Sequence, residues 1–311
     1  MKIIITEKIH QSGIEFLKEQ FDVTEMYDPG KERLLEVIKD YDAIIQRASI
    51  DLDKEMIDAA TNLKVIGMAG VGLNNIDVAY AKSKGIPVFN VPDGSTNAVA
   101  ELTFSLLLNV ARKITPANDF VKGGGWNKHL FPGSELKNKT IGTIGFGRIG
   151  KRVGKIADAF DMNVIAYDPY IDPKDVAHMN MRLVSFEKLL TEADIISIHC
   201  PITEETHHLI SEEEFQLMKD GAILLNMGRG GIVSEKAAIE ALKSKKLKAY
   251  AMDVVENEPY TGGTYQSELL NLDNVVITPH IGAGTEEAQE YIAKTVTKKV
   301  ASYLLGEGVF N

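Results

Sequence analysis

The sequence of 311 residues contains a single cysteine, Cys200. One cysteine cannot form a disulfide bond within the chain, and stable disulfides are typical of proteins in oxidising compartments. We therefore expect a cytoplasmic protein. The length is sufficient for two domains of ordinary size, each with a core of its own.

Long apolar runs and an excess of positive charge are missing as well. The amino terminus, Met-Lys-Ile-Ile-Ile-Thr-Glu, predicts a first β-strand and meets charge too early for a signal peptide. No apolar run is long enough to span a bilayer. With 34 basic and 44 acidic residues the net charge is −10, which argues against a nucleic acid or an anionic membrane as partner. An anionic substrate must then be bound by local cations.

The stretch from Thr140 to Asp168 is the one around which the chain is organised. An apolar segment, the glycines of Ile-Gly-Phe-Gly-Arg-Ile-Gly, an amphipathic run and a second apolar segment predict strand, turn, helix and strand. In this arrangement Gly145 permits the tight turn, Gly147 lets a pyrophosphate approach the backbone, and Gly150 lets the helix pack on its strand.

Asp168 closes the second of these strands, where a carboxylate accepts hydrogen bonds from both hydroxyls of an adenosine ribose. The same carboxylate would repel a 2′-phosphate, so NAD is favoured over NADP. The alternative is a flexible glycine turn with no ligand, in which strand, helix and acid coincide by chance. The predicted NAD site contains Gly145, Gly147, Arg148, Ile149, Gly150 and Asp168.

Residues 2–93 alternate strand and helix patterns, which predicts a small parallel α/β domain. The strand candidates are Ile3–Ile5, Val23, Ala43–Ile45, Val65–Met68 and Val88–Phe89, and the helix candidates are Ser12–Glu19, Lys31–Lys39, Lys54–Ala60 and Ile76–Lys84. Arg47 follows a strand, at the edge of the sheet where ligands usually lie, although an isolated arginine is more often a solvated surface charge. The segment Gly67–Asp77 is either a carboxylate-binding turn or an ordinary turn in which Asn75 or its neighbour caps a helix.

The segment from Ser95 to Leu108 predicts a helix that is apolar on more than one face. We expect this helix to be buried all round, to connect two domains and to contribute to a subunit interface. The polar, glycine-rich segment from Lys122 to Lys139 predicts an exposed arm, anchored by Trp126 and Phe131.

Three predicted strands in the second half of the chain each run into a polar group. Arg229 follows the strand 222–226, Glu258 the strand 249–253, and His280 the strand 275–278. Taken singly, such an arginine is ordinarily a surface charge, such a glutamate a loop acid, and such a histidine a residue whose hydrogen bonds are made within the fold. Because the strands belong to one parallel sheet with the phosphate turn, we expect the three side chains at the same ligand-binding edge.

Together, an arginine, a carboxylate and a histidine supply what a 2-hydroxy acid needs to exchange a hydride with nicotinamide. Arg229 binds the substrate carboxylate bidentately, His280 transfers the proton, and Glu258 orients the imidazole. The neighbouring pair His199-Cys200 could mark a nucleophile or a metal, but the sequence shows neither an activating environment nor further ligands. We interpret Cys200 as a packing residue and predict no metal site.

These motifs resemble those of the D-isomer-specific 2-hydroxyacid dehydrogenases. The resemblance rests on the glycine turn with 167–170, on 199–201 with Thr206, and on 226–230, 253–259 and 278–283, and it extends to 70–77 and 98–101. It implies an α/β fold of two Rossmann-like or flavodoxin-like parallel-sheet domains, with an NAD-binding domain, 98–285, inserted into a substrate domain, 1–97 plus 286–311. It also implies a hinge that closes on NAD and a homodimer or homotetramer.

The resemblance implies roles for individual residues. Arg229, Glu258 and His280 are implied to be catalytic, and Asp253 to contact the nicotinamide amide. The further cofactor residues that it implies are His199, Pro201, Thr206, Met227 and Gly282. The implied substrate residues are Arg47, Val71 and Gly72, together with Arg229 and His280.

The resemblance is closest to the D-3-phosphoglycerate dehydrogenases in a short form, since no residues follow Asn311 that could form a regulatory domain. That branch acts on D-3-phosphoglycerate and 3-phosphohydroxypyruvate in serine biosynthesis, and it commonly has arginines where this chain has Met68 and Lys128. These departures leave open a hydroxypyruvate or glyoxylate reductase, or another D-2-hydroxyacid dehydrogenase. A non-enzymatic alternative is a dehydrogenase-like scaffold that binds NADH to sense redox state.

Overall fold

The computed structural model describes residues 1–259 and 262–308 as an α/β fold. The strands are β1 (Lys2–Ile5), β2 (Asp22–Glu25), β3 (Ala43–Gln46), β4 (Val65–Met68), β5 (Val88–Phe89), β6 (Thr140–Ile144), β7 (Asn163–Tyr167), β8 (Arg182–Leu183), β9 (Ile195–Ile198), β10 (Ala222–Asn226), β11 (Leu247–Met252) and β12 (Val275–Ile277). The α-helices are α1 (Gln11–Lys18), α2 (Lys31–Val37), α3 (Lys54–Ala59), α4 (Val78–Ser83), α5 (Thr96–Arg112), α6 (Ile114–Lys122), α7 (Arg148–Ala159), α8 (Phe186–Glu192), α9 (Glu212–Leu217), α10 (Glu235–Lys243) and α11 (Glu286–Leu304). Within the described ranges, no helix combines the length and the apolar character needed to cross a membrane.

The chain forms two compact units. The first unit comprises Met1–Ser95 and Ala283–Asn311, and the second comprises Thr96–Gly282, so the second is inserted into the sequence of the first. The predicted domain boundaries, after residues 97 and 285, differ by two and three residues from these divisions (97 against 95, 285 against 282).

The first unit contains a five-stranded parallel sheet in the order β2-β1-β3-β4-β5. Its three central strands, β1, β3 and β4, are largely apolar and buried, as is typical of a sheet with helices on both sides. One face packs against residues of α1 and α11, and the other packs against residues of α2, α3 and α4. The order is that of a flavodoxin-like sheet, whose direction of winding reverses between β1 and β3. Side chains that follow these two strands lie where such sheets usually bind ligands.

The second unit contains a seven-stranded parallel sheet in the order β12-β11-β10-β9-β6-β7-β8. Its winding reverses between β6 and β9, so this is a doubly wound, Rossmann-like sheet. Helices α5 and α7 contribute to the core on one face, and α8, α9 and α10 contribute to the core on the other. The predicted fold class, two parallel-sheet α/β domains with one inserted into the other, is confirmed.

Two expectations for the segment from Thr96 to Lys139 are wrong for the single chain. Helix α5 is not buried all round, because Glu101 and Ser105 are exposed while its apolar side faces the core of the second unit. Trp126 is 89% exposed and therefore does not serve as an anchor within the described part of the chain. Phe131 does make a contact, since its ring lies 5.5 Å from that of Phe120 on α6.

Candidate active site

The glycine turn between β6 and α7 has the backbone geometry that the sequence predicts. Gly145 adopts a φ of +86°, and a side chain there would lie 2.8 Å from the backbone nitrogen of Cys200. A side chain at Gly150 would lie 2.3 Å from the carbonyl oxygen of Gly145, so the helix can pack this closely only because Gly150 has none. Gly147 is the N-cap of α7, and no atom lies within 4 Å of the position that its Cβ would occupy. A pyrophosphate could therefore approach the backbone at Gly147, next to the free amides at the helix start.

Asp168 follows β7 and contacts the glycine turn directly. Its Oδ2 accepts a hydrogen bond from the backbone N–H of Phe146 at 2.8 Å, and its Oδ1 accepts one from that of Tyr170 at 3.0 Å. A carboxylate can accept about four hydrogen bonds, so capacity remains for two ribose hydroxyls. The structure thus places Asp168 next to the proposed phosphate site and orients its carboxylate.

His199, Cys200 and Thr206 belong to the segment that follows β9, beside the glycine turn. Nε2 of His199 contacts Oγ of Ser197 at 2.8 Å, while Nδ1 is buried and has no hydrogen-bond partner within the described residues. Burial lowers the pKa of His199 to about 3 and raises the pKa of the Cys200 thiol to about 11. A thiol that stays protonated is not a nucleophile, which fits the packing role expected for Cys200. Oγ1 of Thr206 donates to the carbonyl of Pro201 at 2.7 Å, so this loop closes on itself.

Arg229 lies in the turn after β10. Asn226, which is fully buried, holds this turn: its amide nitrogen donates to the Arg229 carbonyl at 2.9 Å and its amide oxygen accepts from the Gly228 N–H at 3.1 Å. Nη1 of Arg229 donates to the Gly228 carbonyl at 2.8 Å, and the half-buried guanidinium carries four further N–H donors. The turn also requires Gly230, because a Cβ at that position would lie 1.8 Å from the carbonyl oxygen of Val255. The Arg229 turn is therefore packed against the segment that leads to Glu258.

His280 and Glu258 form a hydrogen-bonded pair at the same edge of the sheet. Nδ1 of His280 lies 2.7 Å from Oε1 of Glu258, and the side chains are 43% and 40% exposed. With Nδ1 engaged by the carboxylate, Nε2 is the nitrogen that remains to face a ligand. The backbone of His280 has a φ of +53°, a left-handed conformation that is uncommon for residues other than glycine.

Asp253 fixes the segment that carries His280. Its carboxylate, on a residue only 3% exposed, accepts hydrogen bonds from the Thr278 hydroxyl at 2.6 Å, the Ile281 N–H at 2.8 Å and the Gly282 N–H at 2.7 Å. The implied contact between Asp253 and nicotinamide stays a proposal. Met227, another implied cofactor residue, is 7% exposed and packs in the core of the second unit.

The implied substrate residues of the first unit lie at the carboxyl edge of its sheet. The carboxylate of Glu7 accepts hydrogen bonds from the N–H groups of Arg47, at 2.8 Å, and Ser49, at 2.9 Å. The amide of Asn75 donates to the Arg47 carbonyl at 3.2 Å and is therefore not a helix cap; Asp77 caps α4 instead. Val71 is 38% exposed.

The sequence patterns did not indicate that Glu7 and Asn226 support the site. The signal that could have found them is a polar residue at or just after the end of an apolar strand.

The side chain of Met68, where the related branch commonly has an arginine, lies in the core of the first unit. It is only 2% exposed and packs in the core of the first unit with residues of α2, α3 and α4. An arginine introduced here would place a charge among apolar side chains, which is strongly unfavourable without a partner.

Within residues 1–259 and 262–308 no group of three or more His, Cys, Asp and Glu side chains is arranged to hold a metal ion.

Comparison with known proteins shows what the chain is similar to. Residues 104–282 match the family model described as D-isomer specific 2-hydroxyacid dehydrogenase, NAD binding domain. Over 309 residues the chain is 47% identical to the D-3-phosphoglycerate dehydrogenase of Methanocaldococcus jannaschii, covering 99% of this chain and 58% of that protein. Over 316 residues it is 40% identical to the glyoxylate reductase of Thermococcus litoralis, covering 98% of this chain and 94% of that protein.

Among solved structures, the D-lactate dehydrogenase of Aquifex aeolicus, complexed with NAD and lactic acid, superposes with a TM-score of 0.87. The sequence identity is 32%, and 99% of this chain and 96% of that chain are covered. The chain spans less than two thirds of the length of the phosphoglycerate dehydrogenase that it matches. The matched family domain contains the glycine turn, so the predicted cofactor, NAD, is confirmed.

Replacing Asp168 should change the preference between the two nicotinamide cofactors. We expect Asp168→Ala to lower kcat/KM for NADH by about ten- to a hundredfold, the effect of losing charge-assisted hydrogen bonds. The value of kcat/KM for NADPH should fall less, because the substitution also removes the repulsion between the carboxylate and the 2′-phosphate. The ratio of kcat/KM for NADH over NADPH measures this, with the exposed Asp175→Ala as control. An unchanged ratio would remove Asp168 from the ribose site.

The imidazole of His199, whose Nδ1 is buried, should make the protein sensitive to acid. The unfolded chain takes up a proton on this residue near pH 6.5, whereas the folded chain does so only near pH 3. Between these values, lowering the pH should therefore reduce the free energy of unfolding, by up to about 1.4 kcal/mol per pH unit for one proton. Urea unfolding at pH 7 and pH 4.5 should show a smaller loss for His199→Gln than for the native protein. Exposed His178→Gln is the control, and equal losses in all three proteins would contradict the assignment.

Proposed function

Because the chain belongs to the family of D-isomer-specific 2-hydroxyacid dehydrogenases, we propose that it interconverts a D-2-hydroxy acid and its 2-keto acid with NAD. The observation that supports this most directly is the His280–Glu258 pair, with 2.7 Å between Nδ1 and Oε1. This pair lies at the sheet edge that also carries Arg229 and the glycine turn. The arrangement provides an anion-binding group, a proton carrier and a cofactor site in one unit.

The proposed chemistry assigns one task to each side chain. Bound NAD supplies hydride transfer between the nicotinamide ring and the carbon that carries the hydroxyl or keto oxygen. The guanidinium of Arg229 binds the substrate carboxylate and polarises the adjacent carbonyl. Nε2 of His280 donates a proton to the carbonyl oxygen during reduction and accepts the hydroxyl proton during oxidation. Glu258 holds Nδ1–H, so that the ring keeps one orientation and one tautomer in both directions.

For the substrate we propose D-3-phosphoglycerate and 3-phosphohydroxypyruvate, a reaction of serine biosynthesis, with appreciable use of hydroxypyruvate or glyoxylate. The relative at 47% identity is named a phosphoglycerate dehydrogenase, and the relative at 40% a glyoxylate reductase. Residue 68 offers no cation to a phosphate, because methionine is uncharged and this side chain is also buried. Phosphate recognition then depends on Arg47, Lys128 and backbone amides, with fewer planar guanidinium forks than the branch usually has. One lost charge-assisted hydrogen bond costs about 1.5–3 kcal/mol, which weakens a preference for phosphate without abolishing binding.

A homodimer or homotetramer is part of this proposal. Helix α6 has no buried residue, and Ile114 and Val121 on it are 53% and 48% exposed. The arm that follows exposes Trp126 and Leu130. Apolar side chains gathered on one continuous segment support contact with a second subunit.

Substitution of Arg229 or His280 should separate catalysis from cofactor binding. We expect His280→Ala and Arg229→Ala each to lower kcat by about 10²-fold or more, since proton transfer typically contributes about 10²–10⁴-fold. NADH affinity, measured by fluorescence titration, should stay within about threefold of native. His178→Ala and Arg182→Ala replace exposed residues of the same types in the same unit and should leave both quantities unchanged. A loss of NADH affinity in step with kcat would make these cofactor residues and refute the assignment.

The substrate is tested by the ratio of kcat/KM for 3-phosphohydroxypyruvate over hydroxypyruvate. We expect a native ratio above one that falls about tenfold in Arg47→Gln and in Lys128→Gln, because each removes one cation from the phosphate. Exposed Lys137→Gln, on the same arm as Lys128, is the control. A native ratio at or below one would favour a hydroxypyruvate or glyoxylate reductase. NADH binding without turnover of either acid, or of glyoxylate and pyruvate, would favour the non-enzymatic scaffold.

A further inference from the structure

Glu256 lies two residues before Glu258 and is bound on both of its carboxylate oxygens. Oε1 contacts Nε2 of His208 at 2.8 Å, and Oε2 accepts a hydrogen bond from the backbone N–H of Glu235 at 3.1 Å. Glu235 is the first residue of α10, the helix that follows the Arg229 turn. One carboxylate thus connects three segments of the second unit.

His208 belongs to the loop that contains Thr206, an implied cofactor residue. The backbone N–H of His208 donates to the Gly231 carbonyl at 2.8 Å, and that of Ile210 donates to the Ile232 carbonyl at 3.1 Å. An isolated parallel bridge joins Ile210 to Val233. This segment, the Thr206 loop, is therefore bound by its backbone to the segment after Arg229, and by the His208 side chain to Glu256.

On the other side of Glu256 the chain turns toward the catalytic pair. Asn257 has a φ of +55°, a left-handed conformation that Asn tolerates better than most residues. The next residue, Glu258, contacts His280. Glu256 and Glu258 therefore contact His208 and His280 from one short turn.

We propose that Glu256 is a positioning residue, which together with His208 couples the Thr206 loop to the Glu258–His280 pair. The inference rests on the proposed function. The side chains of Glu256 and His208 are 28% and 38% exposed, and even a charged pair with this exposure contributes little to stability. Their contribution is to geometry: with the contact in place, the loop that meets the cofactor and the turn that orients the proton carrier keep one relative position.

The test is a double-mutant cycle of Glu256→Ala and His208→Ala. NADH affinity is measured by fluorescence titration, and kcat is measured for NADH oxidation with hydroxypyruvate. We expect each single variant to weaken NADH binding and lower kcat by about threefold to tenfold, and the double variant to be no worse than the stronger single one. Glu256→Gln keeps one amide oxygen as an acceptor and should restore part of both quantities.

The control is Asp220→Ala, which breaks the Lys246–Asp220 ion pair of 2.7 Å at the amino edge of the same sheet. It should leave kcat and NADH affinity unchanged. Effects that multiply in the double variant, or single variants equal to native, would overturn the proposal. A fall in melting temperature with no rescue by Glu256→Gln would mean a structural role only and would overturn it too. If the native protein reduces no keto acid, the proposed function fails, and the cycle in NADH affinity still decides whether Glu256 and His208 are coupled.

Discussion

The hydrogen bonds of the buried Asp253 carboxylate are the interaction on which the candidate site depends. A buried carboxylate is costly unless donors surround it, and here Thr278, Ile281 and Gly282 supply three. Each hydrogen bond to a charged group contributes about 1.5–3 kcal/mol. The left-handed backbone of His280, which lies between these donors, costs about 1–3 kcal/mol. The bonds are sufficient to offset that cost, and His280 is thereby held where Glu258 can reach it.

Close approach of backbone to backbone is the second constraint. At one sheet edge the glycine turn approaches the segment after β9, and the Arg229 turn approaches the segment before Glu258, in both cases with no room for a Cβ. Gly145, Gly150 and Gly230 are the positions at which a side chain would collide with a neighbouring backbone atom. Because the turns contact one another through backbone atoms at these glycines, their polar side chains remain available for ligands and for one another. The contacts of Glu256 with His208 and of Glu258 with His280 are examples.

Much of the fold could be predicted from local pattern. The strand predicted at 222–226 is observed at Ala222–Asn226, and the helix predicted at Ser12–Glu19 is observed at Gln11–Lys18. The position of Arg229, Glu258 and His280 at one edge of the sheet could also be anticipated, because each follows a strand and parallel strands end at one edge. The burial of Met68, the exposed residues of α5 and the supports from Glu7 and Asn226 could not. These depend on which distant segments pack together, and no periodicity within a short window reports that.

The sequence by itself determined the alternation of strands and helices, the glycine turn with its following acid, and the residue types that face the ligand edge. These follow from side-chain periodicity, from the absence of a Cβ and from the charge of each group. Only the tertiary structure decided how those groups are held. Asp253 could be an exposed acid or a buried one held by its own chain, Met68 could face a substrate or a core, and Glu256 could be a solvated acid or a link between loops. In each case the choice depends on long-range contacts, because hydrogen bonding and burial are settled by neighbours that are distant in sequence.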